Sequence, residues 1–193
     1  MSKLNEMRMY TWNSTGLNWV DSDISLGQAE RKEYFKSSDT ESIKALDEAF
    51  KSKIYGISDE VKAENKNFRN FTRTFDIASG DKKETETIEL KLDSDNDILV
   101  SGIDVNAGED STSSYLISAF GEGDNLYLNS QIRANIADKA RVKLVVVTNL
   151  PEKSINFSSI TTILGEESYL DITYIEIGAD NSIVNIKNIL DGD

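Results

Sequence analysis

Residues 137–150, ADKARVKLVVVTNL, and residues 165–178, GEESYLDITYIEIG, carry one pattern twice at an offset of 28. Each begins with a small residue, two polar residues and a second small residue, and then alternates apolar and polar side chains as a half-buried strand does. Val142, Leu144 and Val146 fall on Leu170, Ile172 and Tyr174. A third corner of this type, Gly108-Glu109-Asp110-Ser111, starts 29 residues before Ala137.

A second series lies midway: Gly123-Asp124-Asn125, Pro151-Glu152-Lys153 and Ala179-Asp180-Asn181, spaced by 28 and 28. Two corners in each repeat of about 28 residues imply two strands per turn of a solenoid, whose coils bury their inward residues against one another. Pro151, the sole proline, sits at a corner, where its missing N–H costs the ladder nothing. An antiparallel sandwich would also show short strands, but it predicts no corners in register over three cycles. The expected fold is therefore mainly β: a parallel β-helix, or flattened β-solenoid, of about three coils between Thr85 and Leu190. Asp191-Gly192-Asp193 falls at a corner again, so the reading expects the coils to continue, or a partner to cover the last one.

Upstream, Phe71, Arg73 and Phe75 alternate with polar residues, Ala78 to Lys83 reads as a turn, and Ile88, Leu90 and Leu92 form a further strand. Before these, Asp39 or Thr40 can cap a helix in which Ile43, Leu46 and Phe50 recur at helical spacing through about Lys53. Ser58 can cap a second short turn, while Lys62 to Arg69, with no apolar stripe, reads as a connector. Two parts follow: an aromatic and helical segment over 1–69, placed to cap the first coil, and β-helix coils over 70–193. Both tryptophans fall in the dense cluster Met7, Met9, Tyr10, Trp12, Leu17 and Trp19, expected to seal the following domain or to anchor a partner.

The chain of 193 residues contains neither cysteine nor histidine. Disulfides, thiolate ligands, imidazole ligands and Ser-His-Asp triads are all excluded. The net charge of −13 is unevenly placed: residues 1–84 carry 14 Lys and Arg against 15 Asp and Glu, and residues 85–193 carry 7 against 19. A strand region this acidic repels phosphate backbones, so no nucleic acid is expected as a partner. No run of about 18 apolar residues occurs and residues 1–17 hold no signal-type core, so a cytoplasmic location with no membrane contact is expected.

Candidate sites are few. Asp93-Ser94-Asp95-Asn96-Asp97 has the alternating carboxylates of a calcium loop, but Ile98 stands where the sharp turn needs glycine and Asp104 where a bidentate glutamate belongs, so a solvated turn is the expectation. Gly121-Glu122-Gly123 begins like a phosphate loop but has an acidic insertion and no following helix, and reads as a corner. Glu166 and Glu167 point opposite ways and make a poor acid–base pair. Lys139, Arg141 and Lys143 form a basic strand face, either solvated beside acidic neighbours or a docking stripe. No catalytic, cofactor-binding or metal residue is assigned.

Phe157 to Asp193, FSSITTILGEESYLDITYIEIGADNSIVNIKNILDGD, with RVKLVVVTNL at Arg141 to Leu150, resembles the SufB/SufD family of iron–sulfur cluster assembly scaffolds. YTWN at Tyr10 to Asn13 and NFTRTF at Asn70 to Phe75 are similar to its SufD-like members. The resemblance implies a right-handed parallel β-helix with an N-terminal helical part, in a cytoplasmic complex with a SufC-like ABC-type ATPase and a SufB-like subunit; a homodimer is an open alternative. It implies a non-catalytic scaffold that handles an iron–sulfur cluster only through the complex. The family's functional Cys, His and Glu positions and its ATPase-docking helices lie C-terminal to the matched stretch, so none is carried over and no cofactor is expected here. The alternatives are a carbohydrate-active β-helix enzyme, a polysaccharide lyase or hydrolase, and a structural solenoid without ligand.

Overall fold

The computed structural model describes residues 2–4, 20–22, 35–36 and 40–191, with side chains from 43 onward. The aromatic cluster between Met7 and Trp19 lies outside them. The described residues hold three short strands, β1 (Ser2–Leu4), β2 (Val20–Ser22) and β3 (Phe35–Lys36), followed by helices α1 (Thr40–Phe50) and α2 (Asp59–Phe68). Nine strands follow: β4 (Phe71–Ile77), β5 (Lys82–Leu92), β6 (Ile98–Ala107), β7 (Thr112–Gly121), β8 (Tyr127–Ile136), β9 (Arg141–Leu150), β10 (Ile155–Leu164), β11 (Tyr169–Gly178) and β12 (Asn181–Leu190).

From β4 onward the chain alternates between two parallel sheets. One has the order β12-β10-β8-β6-β4-β3 and the other β11-β9-β7-β5, so successive strands face each other and the coil climbs by one strand per turn. This is the expected β-solenoid, mainly β, with about four turns where the sequence reading counted about three. Val142, Leu144 and Val146 pair with Leu170, Ile172 and Tyr174 in the register that the repeat predicts.

The coils shorten as they climb. Partners on the six-stranded sheet are 30 residues apart at Phe71 and Ser101, 29 at Ile98 and Tyr127, 28 at Tyr127 and Ile155, and 26 at Ile155 and Asn181. The last step corrects the corner assigned to Ala179-Asp180-Asn181, because Asn181 already belongs to β12. Gly178 and Ala179 both take left-handed conformations (φ 79° and 66°), and the chain reverses within fewer residues. A Cβ on Gly178 would lie 1.8 Å from the Leu150 carbonyl oxygen, so only glycine fits there.

The main corner series has one geometry. The third residue of each, Gly80, Asp110, Lys139 and Glu167, is left-handed, with φ between 54° and 77°. The N–H of this residue reaches the next coil: Gly80 donates to the Glu109 carbonyl at 2.9 Å, Asp110 to Asp138 at 3.0 Å and Lys139 to Glu166 at 2.8 Å. Ala78-Ser79-Gly80-Asp81 is thus the first member of the series, 30 residues before Gly108 and outside the interval that marked the others. Asp110 and Lys139 accept a costly backbone conformation, and a hydrogen bond along the solenoid axis offsets it.

The lumen holds the principal core: Leu99, Ile103 and Val105 of β6, Leu128 and Ile132 of β8, Ile117 of β7 and Val142, Leu144 and Val146 of β9 are all buried. Each such side chain contributes about 1.5–3 kcal/mol. The four-stranded sheet alternates buried and exposed residues, clearly so in β9. The six-stranded sheet does not: β8 is buried on both faces at nearly every position, because α1 and α2 lie across its outer face over β6 and β8. The helices therefore cover a face of the solenoid rather than its first coil. That end is met instead by β3, which pairs with β4.

α2 corrects the reading of 62–69 as a connector. Ser58 caps it as expected, its Oγ accepting from the Val61 N–H at 3.2 Å. The helix then runs to Phe68 without an apolar stripe, since the face it buries is centred on Asn65, which is 1% exposed.

Candidate functional site

Between the helices and the outer face of the six-stranded sheet lies a layer of polar side chains built from registered strand positions. The parallel ladder stacks Asp104 of β6 on Arg133 of β8, and Gly102 on Gln131. Arg133, 3% exposed, donates from Nε and Nη2 to the two carboxylate oxygens of Asp104 and from Nη1 to Asp47 of α1 at 2.6 Å. Burial alone would lower the Arg133 guanidinium. The hydrogen bonds and charges of Asp104 and Asp47 more than offset this and hold it above its ordinary value.

Arg69, after α2, completes the layer. Its Nε donates to Asn65 at 2.7 Å and its Nη2 to Gln131 at 2.9 Å, and it stands 3.8 Å from Asp104. Burial holds its guanidinium below the usual value, against the opposing pull of Asp104. Gly102 makes room for it: a Cβ there would come within 2.3–2.5 Å of the guanidinium atoms. Asn65 donates to the Ser101 and Asn129 carbonyls at 2.9 and 3.1 Å, and Asn129 donates to the Val61 carbonyl and to Glu64. Tyr127 donates its hydroxyl proton to the same Glu64 carboxylate.

Apolar contacts flank this layer. Val61 meets Val100, Tyr127, Phe157 and Ile183 on one side, and Leu46 and Phe50 meet Ile163 on the other. The loop between the helices is tied to β12 and its end, since Lys187 donates to the Ile54 carbonyl at 2.6 Å and Lys53 to Asp191 at 2.9 Å. The helical part and the coils are therefore locked together by charge-assisted bonds.

Of the positions singled out from sequence, only Asp104 lies in this layer, and there it faces Arg133 rather than a calcium loop; the others do not converge on it. Asp93 and Asn96 exchange backbone hydrogen bonds in a tight turn, and the Asp95 N–H donates to the Asp93 side chain at 3.0 Å. Among the described residues no three carboxylates gather as a cation site. Gly121 ends β7, and a Cβ on it would meet Leu126 at 2.4 Å, so the glycine serves packing. Glu167 is the left-handed residue of its corner, and Glu166 donates its N–H to Asp138. Lys139 occupies a corner, Arg141 lies over the Tyr169 ring at 5.9 Å and Lys143 stands 3.7 Å from Asp171, so the basic stripe meets its cross-strand neighbours.

A second polar cluster fills the lumen near the last coils. Asn156, fully buried, donates to the Tyr174 hydroxyl at 3.1 Å, to Glu176 at 2.9 Å and to Ser182 at 3.2 Å, and accepts from Ser158 at 2.7 Å. The layer under the helices and this cluster both went unmarked in the sequence. Only the 29-residue separation of Asp104 and Arg133, one coil apart and of opposite charge, carried a trace of the first.

The match to a known family covers residues 90–193, more than half of the chain, and its description is SUF system FeS cluster assembly, SufBD core domain. The chain belongs to the SufBD family. Membership carries involvement in iron–sulfur cluster assembly and in the SUF system, whose SufBD proteins are assembly scaffolds and generally non-catalytic. The matched span runs from within β5 through β12, so it takes in the solenoid except β4 and most of β5. No curated protein and no solved structure matches the chain. Among the described residues, no helix is long and apolar enough to cross a membrane.

Proposed function

We propose that this chain is a non-catalytic scaffold subunit of an iron–sulfur cluster assembly complex, cytoplasmic, positioning an ABC-type ATPase and a partner β-helix subunit. The observation that carries the reading is the combination of a SufBD core with a chain that has neither cysteine nor histidine. Such a chain offers no thiolate or imidazole to a cluster, so its contribution is shape. The filled lumen agrees, since packed side chains occupy the space between the sheets.

Among the described residues β11 and β12 each pair on one side only, and they expose Ile175, Ile177, Ile186 and Leu190, the last 77% exposed.

The test is affinity capture from the source cytoplasm with this chain as bait. Recovery of a SufC-type ATPase and a SufB-type subunit is expected, with the iron and sulfide on the partner and none on the bait after separation. Recovery of neither partner overturns the reading.

A further inference from the structure

The two helices enclose a cleft of about 540 Å³ that reverses the sign of the molecule's charge. The chain as a whole carries 34 acidic against 21 basic residues, yet among the described residues the cleft is lined by Lys44, Lys51, Lys53, Lys62 and Lys66 and by only two carboxylates, Asp47 and Glu48. Asp47 is already committed to Arg133 at 2.6 Å, and Glu48 sits 3.2 Å from Lys51, both of that pair largely exposed. Lys62 pairs with the 93% exposed Asp59 and lies 5.0 Å from the centre of the Tyr55 ring. Lys44 and Lys66 have no hydrogen-bond or ion-pair partner among the described residues.

Such exposed pairs are worth about 0–1 kcal/mol each, so an incoming anion displaces them at little cost. The walls, by contrast, are held. Arg133 pins α1, and Lys187 and Lys53 pin the loop below it. Phe50 and Tyr55, which both line the cleft, meet edge to face at 5.4 Å. Lys44 and Lys51 are seven residues apart on and just past α1, about 10 Å along the helix axis, and Lys62 and Lys66 lie one turn apart on α2. The result is a preformed field of ammonium groups, spread along a line rather than focused on a point. Lysines act as mobile point charges toward phosphoryl oxygens and lack the planar fork that selects single carboxylates.

We propose that this cleft binds a linear polyphosphate, either free or carried by a nucleoside. The inference does not rest on the scaffold reading. It requires only the charge reversal, the two lysines without a partner among the described residues and the pinned walls.

Calorimetric titration of the full chain at low ionic strength tests it, with inorganic tripolyphosphate as probe. Saturable binding is expected, and Lys44→Ala with Lys66→Ala should weaken it at least about tenfold, a loss of about 1.4 kcal/mol. Lys82→Ala with Lys83→Ala, on β5 and outside the cleft, should leave it unchanged. Both pairs are exposed, and an unaltered denaturation midpoint checks that each variant folds. Adenosine triphosphate binding more tightly than tripolyphosphate supports the site and assigns a nucleotide source; equal affinity supports it and assigns the free chain. Absence of saturable binding, an equal loss in the control pair, or tighter binding of a tetraglutamate peptide overturns the proposal, the last in favour of an acidic protein segment.

Discussion

Arg133 grips Asp104 across adjacent coils through two hydrogen bonds of 2.9 Å, with the carboxylate fully buried. Because the same guanidinium also reaches Asp47, one side chain joins two coils and a helix. Removing either buried partner strands the other, at a cost of about 3–5 kcal/mol. Asp104→Ala and Arg133→Ala should each lower urea stability by that amount. Asp104→Leu with Arg133→Met should recover most of it. A double variant no better than the singles would show that the layer acts through more than this pair.

Gly102→Ala tests the neighbouring contact. The new methyl carbon must displace the Arg69 guanidinium, which then loses its bonds to Asn65 and Gln131. A loss of about 1–3 kcal/mol is expected. Pairing the change with Arg69→Ala should remove most of the additional penalty, and a denaturation cycle over the four proteins reads the coupling.

Two corner glycines should differ in a measurable way. Gly80 is left-handed (φ 77°) with nothing within 4 Å of a built Cβ, so Gly80→Ala should cost about 1 kcal/mol from backbone strain alone. At Gly178 the same change meets a carbonyl oxygen as well, and the thermal midpoint should fall several times further. Equal midpoints in the two variants would refute the assigned corner geometry.

Tyr115 gives the fold a response to alkali. Burial pushes its phenol up to about 12. The unfolded phenol ionises near its ordinary value of about 10, so the folded state holds the proton more tightly. The resulting stability is fully present below about pH 10 and is lost as pH rises toward 12, to a limit of about 2–3 kcal/mol. Tyr115→Phe should remove that part of the decline, so the wild type should lose about 2–3 kcal/mol relative to the variant as pH rises from 9 to 12.

The coils were legible because their logic is local and repeated. Val142 and Leu170 share a role one turn apart, and a left-handed corner recurs after every strand from β6 to β11. The layer under the helices was not legible, because its residues carry the signature of the opposite environment. Asn129, Gln131 and Arg133 alternate with Leu128, Ser130, Ile132 and Ala134 much as a solvent-facing row does, yet α1 and α2 bury them with matching polar groups. For the same reason Lys62 to Arg69 looked like a connector. Hydropathy reports how apolar a face is, and it is silent where burial is achieved by hydrogen-bond matching. The lysine cleft was hidden differently: its five cations are scattered over 23 positions of a segment whose net charge is close to zero, and only the folding of the helices and the loop between them around one cleft gathers them.

The shrinking intervals along the sheet, 30, 29, 28 and then 26 residues, make each turn of the chain a different circumference. Identical turns could slide past one another by a whole step, or exchange with those of a neighbouring molecule, and still satisfy every ladder bond. Unequal ones cannot, because a turn moved one storey up leaves slack and one moved down falls short. The taper therefore acts as a numbering system, in which corner length gives every strand its own storey. It guards the order of the stack against slippage and strand exchange without any contact devoted to that purpose.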